Sequence, residues 1–218
     1  MKNNKKNRKN FKNKEKILIY SGAFIIIFII LLIAFKLISN KNNTNDNEVN
    51  NVVEKIDQME NYDYYLDENA TDYYKQLYNE LKEVLNSEEL SEEEYAKVIS
   101  KLFVTDLFTL DNKITSSDIG GLQFVYTDFK EDFINIAKTT LYSNVKSNIY
   151  GDRQQELPIV SNVQVKSIEN SLFTYQNNDY NSYNILLNIT YQKDLDYPTE
   201  YSLILIKNDK YWQVVSGK

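Results

Sequence analysis

Hydrophobic and polar positions divide this chain into three regimes. From Ile17 to Phe35, nineteen residues pass without a charge. As a helix they would reach about 28 Å, close to the roughly 30 Å hydrocarbon thickness of a bilayer. Eight Ile, three Leu and three Phe in that run favour insertion by about 4 to 8 kcal/mol in total. Residues 39–51 then hold a single apolar side chain, Val49, too little apolar surface to order themselves. Beyond them apolar residues return with regular spacing.

Tyr62-Asp63-Tyr64-Tyr65-Leu66 alternates briefly, as a short strand or an extended lead-in. Thr71 is a candidate N-cap, followed at helical spacing by Tyr74, Leu77, Tyr78, Leu81 and Leu85. Ser91-Glu92-Glu93-Glu94 reads as a capping box with acidic residues in the first turn, ahead of a stripe of Tyr95, Val98, Ile99, Leu102, Phe103 and Leu107. Gly120-Gly121 punctuates a loop, and a third helix is predicted over about 127–147, with Phe129, Phe133, Ile136, Ala137 and Thr140 on one face. After Gly151 the period changes to two. Val163 and Val165 begin a strand; Tyr183, Ile185, Leu187, Ile189 and Tyr191 alternate with Asn184, Leu186, Asn188, Thr190 and Gln192; Tyr201–Ile206 is apolar on both faces. Asn208-Asp209-Lys210 is a turn, and Tyr211–Val215 closes the pattern, with Trp212 expected to face the helices as a structural residue. Helices first and an antiparallel meander after them predict an α+β domain, about three helices on a curved sheet of about four strands.

Charge sets the expected orientation. Residues 1–16 carry eight basic side chains against Glu15, and only Lys36 and Lys41 follow closely behind the apolar run. Positive charge stays on the cytoplasmic side. The expected layout is therefore a basic cytoplasmic tail (1–16), a transmembrane helix (17–38), a flexible polar linker (39–52) and an extracytoplasmic domain (53–218). A cleaved signal peptide fits less well, since its apolar core spans about 7 to 15 residues and ends in a small-x-small site. Beyond Ile38 there are 16 basic and 30 acidic residues, a balance of −14. Such a domain repels nucleic acid and anionic wall polymers, so neither is expected as a partner. With no Cys and no His, disulfides, imidazole bases and His-ligated metals are excluded, and no cofactor or metal is expected. The excess of Lys, Asn, Ile and Tyr over Gly and Pro suits an AT-rich genome, such as that of a low-GC Gram-positive bacterium. Asn-x-Thr triplets at Asn42, Asn69 and Asn188 carry no weight in that setting.

The element order, together with the terminal stretch Lys207-Asn208-Asp209-Lys210-Tyr211-Trp212-Gln213-Val214-Val215-Ser216, resembles the nuclear transport factor 2-like superfamily over roughly residues 55–218. With the N-terminal anchor, the layout resembles membrane-anchored scaffold subunits of conjugation and type IV secretion machines and similar anchored clostridial proteins. That resemblance implies a cone-shaped domain used either as a scaffold or, in isomerase-like members, as an enzyme. Fold alone does not choose between them.

The candidate chemistry is sparse. Asp106 falls inside the apolar stripe of the second helix, where an ionised carboxylate needs a partner or a shifted pKa. It is either a general base at the mouth of a pocket or a brace that binds Lys113 or backbone N–H groups of the following loop. The aromatic stretch Tyr62, Tyr64, Tyr65, Tyr73, Tyr74 and Tyr78 could stack on a sugar of wall glycan or simply fill the core. Tyr74 and Tyr78 are the pocket candidates beside Asp106. Asp111 to Asp118 fails as a calcium loop, having Ser116 and Leu122 where Gly and Glu are required. No nucleophile elbow, phosphate loop or Lys dyad is present. The expectation is a non-enzymatic binding or scaffold domain in an envelope assembly, its partners the bilayer and other envelope proteins. The alternative is a small-molecule or glycan pocket with isomerase-like or hydrolytic activity.

Overall fold

Two N-caps anticipated in the sequence open the helical layer. The computed structural model describes residues 54–218; the tail, anchor and linker expected before them lie outside the described residues. Lys55–Gln58 (β1) pairs antiparallel with Tyr65–Asp67 (β2) in a small ribbon. Thr71 Oγ1 then accepts the Tyr74 N–H at 3.2 Å and starts Asp72–Leu85 (α1). Its stripe of Tyr74, Leu77, Tyr78 and Leu81 is buried. Ser91 Oγ accepts the Glu94 N–H at 3.3 Å and starts Glu92–Phe108 (α2), where Glu92, Glu93 and Glu94 complement the helix dipole.

Helix α2 is the centre of the fold. It packs against α1 on one side and the main sheet on the other, so Ala96, Ser100, Val104 and Thr105 are buried along with the predicted stripe. Tyr95, Ile99, Leu102 and Phe103 are fully covered, each contributing about 1.5 to 3 kcal/mol by burial.

Lys130–Thr139 (α3) is shorter than the predicted 127–147. A 3-10 turn occupies Thr127–Phe129. At the other end the hydroxyls of Thr139 and Thr140 bond back to the Ile136 carbonyl, competing with the backbone ladder. The chain then turns inward to bury Tyr142. Of the predicted face only Ala137 is buried; Phe129 and Phe133 are partly covered, while Ile136 and Thr140 are exposed.

The sheet is an antiparallel meander of Val160–Tyr175 (β3), Asn178–Tyr191 (β4), Glu200–Asn208 (β5) and Tyr211–Gly217 (β6), in sequential order. Gln176 and Asn177, both at positive φ, make the two-residue turn between β3 and β4, the backbone that matches strand twist in tight hairpins. Register shifts at Val160/Asn162 and Val165/Ser167 break the regular pairing of β3. Tyr183, Ile185, Leu187 and Ile189 are buried on one face of β4, together with Leu203 and Leu205 of β5 and Trp212 and Val214 of β6. Both outer strands are met from within the chain. The Val163 N–H of β3 donates to Tyr73 Oη at 2.7 Å. On β6, Val125 bridges Val214, and the Tyr126 N–H donates to the Val214 carbonyl at 3.0 Å.

Candidate functional site

The last turn of α2 brings Asp106 to the wall of a cavity of about 300 Å³. Around it lie Lys55 of β1, Tyr65 and Asp67 of β2, Asn69 just before α1, Tyr74 in the first turn of α1, Thr105 of α2, and Asn112, Lys113 and Asp118 of the following loop. Asp106 acts as the brace. Its Oδ1 accepts from Lys113 Nζ at 2.5 Å, and its Oδ2 accepts from the Gly121 N–H at 2.6 Å. Lys113 is almost wholly buried. Burial alone would depress its pKa, but the Asp106 carboxylate, with Tyr142 and Asp118, more than offsets this and holds the ammonium above the ordinary lysine value.

The two glycines are shaped by this contact. A Cβ on Gly120 would sit 2.1 Å from the Asp106 carbonyl oxygen, and Gly121 has φ +81° with Phe103 against it. Only glycine lets the loop come this close to α2 while keeping the Gly121 N–H aimed at Asp106. The Gly120 N–H donates to Tyr142 Oη at 3.0 Å, and that hydroxyl donates to the Leu107 carbonyl at 2.8 Å. The Asp118 carboxylate accepts the Ile114 N–H. Arg153 holds the loop from outside through the Asp111 and Lys113 carbonyls.

Of the pocket candidates, Tyr74 lines the cavity beside Asp106, and its hydroxyl accepts from Gln123 Nε2 at 2.9 Å. Burial, then Asp106, raises its pKa well above the ordinary tyrosine value. Tyr78 is one turn further along α1 and does not line the cavity; its hydroxyl donates to the Tyr64 carbonyl. Tyr64 in turn shares a 2.7 Å hydrogen bond with Tyr95 and stacks with Tyr62 at 5.9 Å. The aromatic stretch is therefore mainly core rather than a platform for a sugar ring.

Trp212 lies at the opposite end of α2, buried against Tyr183 with ring centroids 4.7 Å apart. Its Nε1–H donates to Glu92 Oε2 at 2.8 Å, and Lys207 donates to the same oxygen at 2.5 Å.

Sequence reasoning missed Asp67, Thr105 and Asn112. Thr105 reads as one more covered helix position, and Asn112 as a turn residue. Only the pairing of Asn69 with Asn112, each amide donating to the other's carbonyl at 3.0 and 3.1 Å, brings that turn to the cavity. Among the described residues, no cluster of carboxylates has the arrangement of a metal site. No family model matches the chain, and comparison with curated proteins and with solved structures found no match.

Proposed function

We propose that this chain is a membrane-anchored extracytoplasmic binding domain, a scaffold or accessory subunit of a cell-envelope assembly. The observation that carries the binding reading is the engagement of Asp106. Both of its oxygens are committed, one to Lys113 and one to the Gly121 N–H. A general base must be free to reach a substrate proton, so isomerase-like or hydrolytic chemistry at this carboxylate has less support. Three helices on a sequential four-stranded sheet are compatible with the nuclear transport factor 2-like resemblance, which includes pure scaffolds. The uncharged run from Ile17 to Phe35, with eight basic residues before it, supports an uncleaved anchor with the tail inside.

Two measurements test this reading. Protease added to intact protoplasts should remove the domain beyond Asn40 and leave the basic tail attached; a protected domain would refute the orientation. In-cell crosslinking from the exported domain should then capture other envelope proteins. Crosslinks confined to lipid would argue against an assembly role.

A further inference from the structure

The cavity beside Asp106 contains oxygens that the fold leaves without partners. Thr105 Oγ1 and Asn112 Oδ1 are both buried and accept or donate no hydrogen bond among the described residues. Thr105 is wholly covered. A helical threonine commonly bonds back to the carbonyl one turn earlier, and this one does not. Asn112 gives its amide N–H to the Asn69 carbonyl, so the end of the amide left over is the acceptor. Neither a hydrogen bond nor an ion pair reaches the Asp67 carboxylate among the described residues. The unmet capacity is therefore two acceptors, one of them charged, and a hydroxyl.

Charge points the same way. The carboxylates of Asp67, Asp106 and Asp118 line the cavity against the ammonium groups of Lys113 and Lys55. Lys113 is committed to Asp106. Lys55 is exposed, stands opposite Asp67 in the β1–β2 register, and holds its ammonium 3.9 Å from the centroid of the Tyr65 ring. A face of Tyr within about 6 Å of a cation attracts it. The cavity thus already draws in two of the chain's own ammonium groups, one buried and one exchangeable. The raised pKa of buried Lys113 agrees with a negative potential there.

We propose that this cavity binds a small organic ammonium ion, a primary amine that donates N–H bonds to Asp67, Asn112 and Thr105 and displaces the Lys55 ammonium from Tyr65. About 300 Å³ lies at the lower limit of small-molecule sites, which restricts the amine to a few carbons. Binding requires Asp67 in its ionised form. Burial, then Asp106, raises the Asp67 pKa, with Asp118 adding to the rise while Lys113 and Lys55 oppose it. Affinity should therefore increase as pH climbs through that raised value. The site does not depend on the proposed anchor or assembly role.

The test uses the full chain in a neutral detergent, with diaminobutane as the probe and butanediol and succinate as uncharged and anionic counterparts. Calorimetry and melting temperature should both register the diamine and neither of the others. Asp67→Asn should weaken binding roughly ten- to hundredfold, the scale of a charged hydrogen bond. Thr105→Val should weaken it too, without lowering the melting temperature of the free protein. Lys55→Gln should tighten the diamine roughly two- to fivefold by removing an exposed competitor; an anion bound at the same place would be loosened. No response to the diamine, a response to succinate, or diamine binding indifferent to Asp67→Asn would each overturn the proposal.

Discussion

At its first residue α2 carries Glu92, whose carboxylate receives the Trp212 indole N–H and the Lys207 ammonium. In its last turn it carries Asp106, whose carboxylate receives the Gly121 N–H and the Lys113 ammonium. The partner sets match, but the surroundings do not. Glu92 sits where the helix dipole favours a negative charge, and Asp106 where the dipole opposes one, each by about 0.3 to 1 kcal/mol. The Glu92 and Lys207 side chains are 47% and 20% exposed, those of Asp106 and Lys113 23% and 6%. The first end is a clamp around a dry aromatic contact. At the second, polar groups are buried against the field of the helix and some remain unpaired. Carboxylate chemistry alone therefore does not distinguish a structural clamp from a potential site; its surroundings do.

The largest expected effect comes at high pH, where both ends should fail together. Burial raises the pKa of Tyr64 and Tyr95 at the first end and of Tyr74 and Tyr142 at the second. The fold thus keeps protons that the unfolded chain releases near the ordinary tyrosine value, and stability falls as pH rises through that value. Lys113, also raised, contributes stability that is complete below the ordinary lysine value and is lost above it. Tyrosinate absorbance from these four buried phenols should appear in step with loss of circular dichroism. Early titration of the phenols at one end, with the fold intact, would break the equivalence.

Single substitutions should come next. Trp212→Ala should cost about 3 to 5 kcal/mol, as for other buried tryptophans, and a melting temperature that barely moved would mark Trp212 as a contact residue instead. Asp106→Ala should cost about as much, roughly 3 to 5 kcal/mol, because it strands a buried lysine. Glu92→Ala should cost far less, about 1 kcal/mol, since its lysine pair is half exposed. Double-mutant cycles of Asp106 with Lys113 and of Glu92 with Lys207, read by denaturant unfolding, should preserve that order. Equal coupling energies would remove the distinction between the two ends.

The clamp end was much the more legible of the two from sequence. Ser91 with its three glutamates marks a helix start by local chemistry, and period-two alternation places Trp212 on the covered face. Both signals lie within a few residues of what they specify. At the other end Asp106 stood out as a misplaced charge, and Lys113 and the loop N–H groups were foreseeable as its partners. A pocket beside Asp106 and Tyr74 was expected, but the rest of its lining was not foreseeable. Asn69 meets Asn112, and Asp67 shares the cavity wall with Thr105, through contacts between segments far apart in the chain, and no local pattern encodes that meeting. Strand β1 and the early end of α3 were missed for a similar reason. The first is held by pairing with β2, and the second by Tyr142 reaching Leu107 across the fold.

The outer margins of the sheet matter for how copies of this domain coexist. A strand with free N–H and C=O groups is a template for the same strand in another molecule. Confinement to a surface raises the effective concentration at which such pairing competes. Here Tyr73 takes up the Val163 N–H on one margin, and the Val125–Tyr126 segment occupies Val214 on the other. Each is a short obstruction placed within a strand, so a neighbouring chain could not run its hydrogen-bond ladder past Val163 or Val214 without first displacing it. The rest of β3, from Gln164 to Tyr175, pairs with β4 alone, so any pairing between crowded copies would be steered to that stretch.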